Sequence, residues 1–440
     1  MTKTIFAAES RLHEGQRSMT SERVVNMFAE AAPARLPVTL RSVPGLTDKG
    51  QMAAGQVAAF QSTENGLYAA VGTTLIRWDG NSFITIGTIP EGNTTMAWNG
   101  SDLAIAVDQE YHVWNGTTLA RVEQGAFADI GSVDYIDGYI VRSEYDGQRH
   151  DITALNDATA ISALDFASAE HRPDKISRVL VSGGIIWLMG DDSVEPWQNV
   201  GASDFPFARV SSTILEKGVR STHEAARLDN TIFWNSNESR AYRQTNFQPQ
   251  RISTHSVEAS LDAHQTATSF AYQWQGHDFY VIRFSDRPAW VYDAATQSWH
   301  ERTTGPEMLD PWEVTAAVHH EGKWYAGTAD GNLAEFAGKQ DMGNEIRREA
   351  VSKNQTNGGD RFVVNHVDVR CEAGTGGTVM TSYSSDGGRT FSNERHQAIG
   401  SVGNYDQRLQ LHALGQHREF CLKVACTDNV DFAIYEAGIS

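Results

Sequence analysis

Residues 268–302 read TSFAYQWQGHDFYVIRFSDRPAWVYDAATQSWHER, and this stretch sets the pattern for most of the chain. Ser269 to Trp274 is aromatic-rich and extended in character. Gln275-Gly276-His277 makes a turn, and Phe279-Tyr280-Val281-Ile282 is a β-branched and aromatic run. Asp286-Arg287-Pro288 interrupts it. Trp290-Val291-Tyr292 resumes the strand, Asp293 to Thr296 turns, and Trp299 closes the unit. Such runs, punctuated by Gly, Pro and Asp, are antiparallel hairpins.

The plan recurs. Gly66 to Val71 followed by Leu75 to Gly80 repeats it, as does Leu103 to Val107 followed by Tyr111 to Gly116. Gly322 to Gly327, the turn Asp330-Gly331-Asn332 and Leu333 to Phe336 form another copy. About seven such units lie between Gln56 and Gly338, which fits the roughly 40–45 residues of a propeller blade. Unit boundaries blur in the middle, so the pattern allows five to eight blades. A lone meander cannot bury both faces, whereas one stacked between two neighbours can. The expected fold is all-β: a β-propeller over residues 51–340, followed by a small C-terminal β-sandwich-like domain over 341–440 and preceded by an extended arm over 1–50.

Ser21 to Glu30 alternates polar and apolar groups, and Pro33, Pro37 and Pro44-Gly45 interrupt the chain after it. The arm is therefore expected to hold one short strand, and either to close the propeller or to reach a neighbouring subunit. Ile161 to Ala167 reads as a short helical or loop insertion. Ser256 to Leu261 reads as a short helix with Ser256 as its N-cap. Lys339 to Gly359 is polar and reads as a linker, with Arg347-Arg348 and Lys353 as a solvated patch. Beyond it, Phe362 to Val369, Thr378 to Ser384, Glu419 to Ala425 and Phe432 to Tyr435 alternate with a period of two, as half-buried strands do.

The chain has 440 residues, of which 40% are hydrophobic and 10% aromatic, enough for two or three domains with real cores. No stretch approaches the 18 or so apolar residues of a membrane span. Met1 to Arg11 lacks the apolar core of a secretory signal, so folding in the cytoplasm is expected. Cys371, Cys421 and Cys426 are read as free, buried thiols, with Cys421 and Cys426 placed on one strand pair. The net charge of −19 argues against a surface that clamps nucleic acid, because such a surface needs a basic stripe.

Candidate chemistry is sparse. Ser385-Asp386-Gly387-Gly388-Arg389-Thr390-Phe391 resembles the Asp-box turn of sialidase-like propellers, in which the carboxylate locks a hairpin. Glycoside hydrolysis needs two carboxylates facing each other across a cleft. Asp191 and Asp192 are adjacent and read as a turn. His319-His320-Glu321-Gly322 and His13-Glu14-Gly15 lack the spacing that sets two imidazoles on one helical face. Neither a phosphate-binding loop nor a nucleophile elbow is present. Trp78, Trp114, Trp187, Trp234, Trp290 and Trp299 recur at similar places in the units and read as blade packing. The expectation is therefore a non-enzyme without catalytic, cofactor-binding or metal-binding residues. The alternative is a carbohydrate-binding or glycoside-acting propeller, drawn from the Asp-box and the tryptophans.

The order of short motifs points to a family. Val25-Asn26-Met27, Leu40 to Thr47, Asp192 to Trp197 with Gly201, Glu216-Lys217-Gly218 and Arg251 to Glu258 are followed by Gly276 to Tyr280, Trp290 to Ala294 and Trp299. Ser384 to Gly387, Arg408-Leu409-Gln410, Leu414-Gly415 and Arg418 complete the series. In this order the chain resembles the tail nozzle, or tail hub, proteins of short-tailed phages, the packaged-DNA stabilisation family. The resemblance implies a structural virion protein in a hexameric ring below the portal and its adaptor. That ring continues the DNA channel, holds a tail needle or plug, is flanked by tailspikes or fibres, retains packaged DNA and lets it out on infection. Duplex DNA would pass through without specific binding.

Overall fold

The computed structural model describes residues 2–3, 6–11, 21–31, 38–123, 125–169, 174–210, 213–264, 266–305, 308–405 and 407–440. Residues 267–302 form one four-stranded antiparallel meander: Ala267–Trp274, His277–Phe284, Ala289–Asp293 and Ser298–Arg302. Its apolar run lacks alternation because both faces are covered. Phe279 and Val281 point into the core shared with the following meander, while Tyr280 and Ile282 point into the core shared with the preceding one. Gly66–Val71 divides in the same way: Leu67, Ala69 and Val71 face one neighbour, Tyr68 and Ala70 the other.

Seven such blades close into a ring. They begin at Val57–Thr63, Thr94–Trp98, Ile130–Ile136, Ile176–Ser182, Ala225–Leu228, Ala267–Trp274 and Val314–His320. These first strands are neighbours all the way round, the last lying beside the first. Seven hydrophobic clusters fill the seven gaps between blades. The fourth strand of blade seven comes from the N-terminal region: Leu46–Gln51 pairs antiparallel with Asn332–Phe336. Closure thus joins residues nearly 300 positions apart through backbone hydrogen bonds.

The C-terminal region forms a β-sandwich. One sheet runs Met27–Glu30, Thr39–Ser42, Ala433–Ile439, Phe362–Cys371, Leu409–His417, with Thr2–Lys3 beside Ala433–Ile439. The other runs Arg23–Val25, Arg348–Val351, Glu419–Cys426, Thr378–Ser384, Arg395–Ala398, with Gln355–Thr356 beside Glu419–Cys426. Between them lies a separate core that includes Met27, Leu40, Val367, Phe420 and Ile434.

Several local expectations are corrected. Where one short strand was expected before residue 50, strands occur at Thr2–Lys3, Arg23–Val25, Met27–Glu30, Thr39–Ser42 and Leu46–Gln51. Ile161 to Ala167 is part of the strand Asp157–Ser168, not a helix or loop. It pairs with Arg149–Ala154, and residues between Ile161 and Phe166 bulge out, which hides the alternation. The expected linker contains Gln340–Asp341, Asn344–Glu345, Arg348–Val351 and Gln355–Thr356. Arg348 is 0% exposed; its Nη1 and Nη2 donate to the carbonyls of Asp428 and Lys339, while its Nε is buried without a hydrogen-bond partner. The helix His255–Ala263 exists, but its N-cap is Thr254; Ser256 instead donates its hydroxyl to the Arg11 carbonyl. Cys421 and Cys426 share one strand, and all three cysteines are free and buried.

Candidate functional site

The first place to look is the propeller's tunnel, walled by the first strands of the blades. It encloses a cavity of about 480 Å³. The strands that wall it are rich in small and hydroxyl residues, such as Ala58-Ala59, Thr94-Thr95 and Thr315-Ala316-Ala317. Small side chains let seven strands converge. The hydroxyls satisfy inter-blade backbone groups: Thr95 accepts the Val133 N–H at 2.9 Å, Ser132 accepts the Val179 N–H at 2.8 Å, and Thr315 donates to the Val57 carbonyl at 2.7 Å. Across the seven strands the only Asp, Glu, Lys or Arg residues are Asp134, Arg178 and Arg227.

One end of the tunnel is bridged. The loop before Ala225–Leu228 lies over it and bonds to three other blades. His223 Nε2 accepts the Thr94 N–H at 3.1 Å, the His223 carbonyl accepts the Ser269 N–H at 2.6 Å, and the Thr222 carbonyl accepts from Arg178 Nη1 at 2.7 Å. Burial, and secondarily Arg178, pushes the His223 pKa down to about 4, so the ring is neutral at pH 7. A bridged cavity of this size is no conduit for a duplex.

The second place is the joint between propeller and sandwich. Arg23–Val25 lies between the outer strand of blade six and Arg348–Val351, so one ten-stranded sheet runs from the propeller into the sandwich. Asn26 pins the crossing. It is 1% exposed, in the left-handed region at φ 53°, where Asn is tolerated better than most residues. Its Nδ2 donates to the carbonyls of Thr303 (3.2 Å) and Arg347 (2.9 Å), and its Oδ1 accepts the Thr303 N–H (3.2 Å). Beside it, Arg23 pairs with Glu301 at 2.8 Å, and Glu301 also accepts the Ser10 hydroxyl at 2.6 Å. Deeper in the joint lie Arg302, Glu313, Asp341 and Arg348. Burial raises Glu313 to about 7 and Asp341 to about 6.

The residues singled out from the sequence fall into structural roles. Asp386 accepts the backbone N–H groups of Arg389 and Thr390, each at 2.9 Å, and the Thr390 hydroxyl at 2.6 Å. Burial opposes its ionisation, but the bonds from Ser384 and Thr390 outweigh that and bring it down to about 2. This is a turn lock in the sandwich. Asp191 and Asp192 lie in a turn, where Asp191 accepts the Ser177 hydroxyl and the Asp192 N–H donates to Asp174. His320 bonds Ser62, and His319 lies against Trp324. His13 and Glu14 lie outside the described residues. Among the described residues no cluster of His, Cys, Asp and Glu could hold a metal ion. Trp78, Trp114, Trp187, Trp234, Trp290 and Trp299 are all buried in the blades.

The motifs that carry the resemblance sit where segments cross. A Cβ on Gly45 would come within 2.4 Å of the Gln340 carbonyl oxygen, and one on Gly218 within 2.1 Å of the Asp191 backbone. Only glycine allows such approaches. Asn26 belongs to the same class.

Comparison with known families agrees with this architecture. Residues 13–339 match the family model described as bacteriophage P22 Gp10, beta-propeller, and residues 347–440 match bacteriophage P22 Gp10, beta-sandwich. The chain belongs to the bacteriophage P22 Gp10 family. As a Gp10-family member it is a structural protein of the phage tail that stabilises packaged DNA. No curated protein sequence matches the chain. Among solved structures, the computationally designed Ika8 protein is 14% identical, with 76% of this chain and 100% of that chain covered and a TM-score of 0.41. A chain of the Mitotic Checkpoint Complex is 11% identical over 70% and 96% (TM-score 0.44). A chain of the complex of BBS1N with ARL6DN is 12% identical over 68% and 99% (TM-score 0.46). The function rests on the Gp10-family match alone.

Nothing local in the sequence warns of the joint or of the charged tunnel residues. Arg178 is visible in hindsight as the one basic residue in an otherwise uncharged first strand, ISRVLVS. Asn26 carries no local signal, because its partners are at positions 303 and 347.

Proposed function

We propose that this protein is one subunit of the hexameric nozzle, or hub, of a short phage tail. In this reading the ring lies below the portal and its adaptor and continues the DNA channel. It holds a tail needle or plug, is flanked by tailspikes or fibres, and is assembled in the host cytoplasm. The observation that carries the reading is the match of both regions to the Gp10 family; the continuous sheet through Arg23–Val25, which fuses propeller and sandwich, fits it. A part that holds DNA under confinement and then lets it pass works as a stiff wall, and backbone pairing across a joint gives stiffness that a linker does not. Because the blade tunnel is bridged by His223, the DNA path in this reading lies between subunits, not through the propeller.

The charge of −19 per chain supports a sliding role. An acidic lumen repels phosphates, so the duplex moves without sticking. Among the described residues no helix is long and apolar enough to cross a membrane. The same charge makes copies repel one another, so ring formation is expected on portal-containing capsids, aided by salt that screens over about 8–10 Å. Cryo-EM of purified tails tests the ring, and ejection kinetics test the sliding argument. Lysine in place of the carboxylates that line the lumen should slow ejection while particles still assemble. Ejection at the wild-type rate, or a basic lumen, would refute sliding; tails without a ring of this chain would refute the subunit reading.

A further inference from the structure

The propeller cavity carries a guanidinium, that of Arg178, with which no carboxylate of the described residues pairs directly; Asp134 acts on it only from a distance. Of the cavity's three charged strand residues, Asp134 is already engaged. Its Oδ1 accepts the Tyr135 N–H at 2.8 Å, its Oδ2 accepts the Val181 N–H at 2.7 Å, and Arg227 Nη1 lies 3.3 Å from both oxygens. Arg178 has no ion-pair partner within 4.0 Å among the described residues. Its Nη1 donates to the neutral Thr222 carbonyl, and its Nε is buried with no hydrogen-bond partner. The Thr268 hydroxyl, on the same cavity wall, is likewise buried and unpartnered. Since His223 is neutral, the wall carries a net charge of one positive unit, from Arg178 and Arg227 against Asp134.

A partly buried guanidinium whose Nε is shut off from water without a partner is costly to hold beside a cavity unless an acceptor meets it. Its persistence inside a chain of net charge −19 is the more pointed, because the exterior repels anions and only a local site would collect them. We propose that the propeller tunnel is a binding site for a small oxyanion, anchored by Arg178 and bonded by the Thr268 hydroxyl. Arg227, pinned to Asp134 beside it, adds to the attraction. The shared chemistry is a compact anion with several acceptor oxygens, met by phosphate, sulfate or a small carboxylate. The cavity of about 480 Å³ admits any of these. Guanidinium groups bind such anions by charge-assisted, geometrically defined hydrogen bonds.

The test uses the full chain. Sodium phosphate, and separately sodium acetate, is titrated against it at constant ionic strength with chloride as the balancing anion. Binding is followed by calorimetry and, for phosphate, by ³¹P line broadening. Saturable binding of one anion per chain is expected. Arg178→Met should weaken it by at least about tenfold, the range for a lost hydrogen bond to a charged group. Arg178→Lys should weaken it less. Without phosphate, Arg178→Met should stay close to wild type in stability, because removing a partly buried cation without an ion-pair partner offsets the lost bond to the Thr222 carbonyl. A merely structural arginine would make the variant clearly less stable. A preference for acetate over phosphate assigns the site to carboxylates. Absence of saturable binding of either anion to wild type overturns the proposal, as does equal binding to the folded Arg178→Met variant.

Discussion

Asn26→Ala is the most direct probe of the joint. The substitution removes three side-chain hydrogen bonds, to the Thr303 carbonyl, the Arg347 carbonyl and the Thr303 N–H. Each contributes about 0.5–1.5 kcal/mol net. It also leaves an alanine at φ 53°, where an ordinary L-residue costs roughly 1–2 kcal/mol. The sum is a destabilisation on the order of 3–5 kcal/mol, large against the stability of a domain. Two further variants divide the sum. Asn26→Gly loses the same bonds but accepts the backbone angle, so it should cost about 1 kcal/mol less than alanine. Asn26→Asp keeps an acceptor for the Thr303 N–H but sets a carboxylate oxygen against two carbonyls, and should be no better than alanine. Urea unfolding gives the free energies, and amide exchange gives the location. Protection should fall in residues 23–26, 301–303 and 347–351 while blades one to four keep theirs. If alanine costs less than about 0.5 kcal/mol, the pin is not where the joint is held. If glycine costs as much as alanine, the strain attributed to φ is absent.

Three further outcomes are expected. Glu313 and Asp341 are raised by burial to about 7 and about 6, so between about pH 4 and 7 the folded state holds protons that the unfolded chain releases. Their contribution is therefore greatest at low pH and is lost as pH rises through 7; Glu313→Gln should raise the melting temperature at pH 8 more than at pH 5, and an equal effect at both would contradict this. Asp386 is depressed to about 2, so its contribution is present above about pH 4 and is lost as pH falls through about 2. Asp386→Ala should cost the sandwich about 1 kcal/mol at pH 7, a figure kept low because the turn is solvated, and the difference should vanish near pH 2; unchanged unfolding at pH 7 counts against a turn lock. Finally, fluorescence anisotropy should find only weak or no binding of duplex DNA to the isolated protein at physiological salt. Tight, salt-resistant binding would show that the negative charge does not govern the encounter.

The class of structure and its repeat are legible in the residues alone. Phe279-Tyr280-Val281-Ile282, Leu103 to Val107 and Ile185 to Met189 are apolar at every step, which in short runs bounded by turns means strands buried on both faces. Strands of that kind, repeated, require stacked sheets, and the recurring turns set their length. The alternation after Phe362 likewise marks a separate sheet with one wet face. The locked turn at Asp386 is legible because the carboxylate and its N–H partners lie within four residues. Everything that joins distant segments comes from the tertiary structure. The arm was expected either to close the propeller or to reach a neighbouring subunit, and the structure shows the first, with Leu46–Gln51 completing blade seven; nothing local says that Arg23–Val25 bridges blade six to the sandwich, or that Arg348 is buried while its neighbours read as a solvated linker. Strand pairing is a backbone interaction and is nearly indifferent to side-chain identity, so its partner leaves little trace in a strand's own residues. Arg178 obeys the same rule: its charge is plain in the sequence, but only the closed ring of seven blades places it on a cavity wall with no carboxylate to pair with directly.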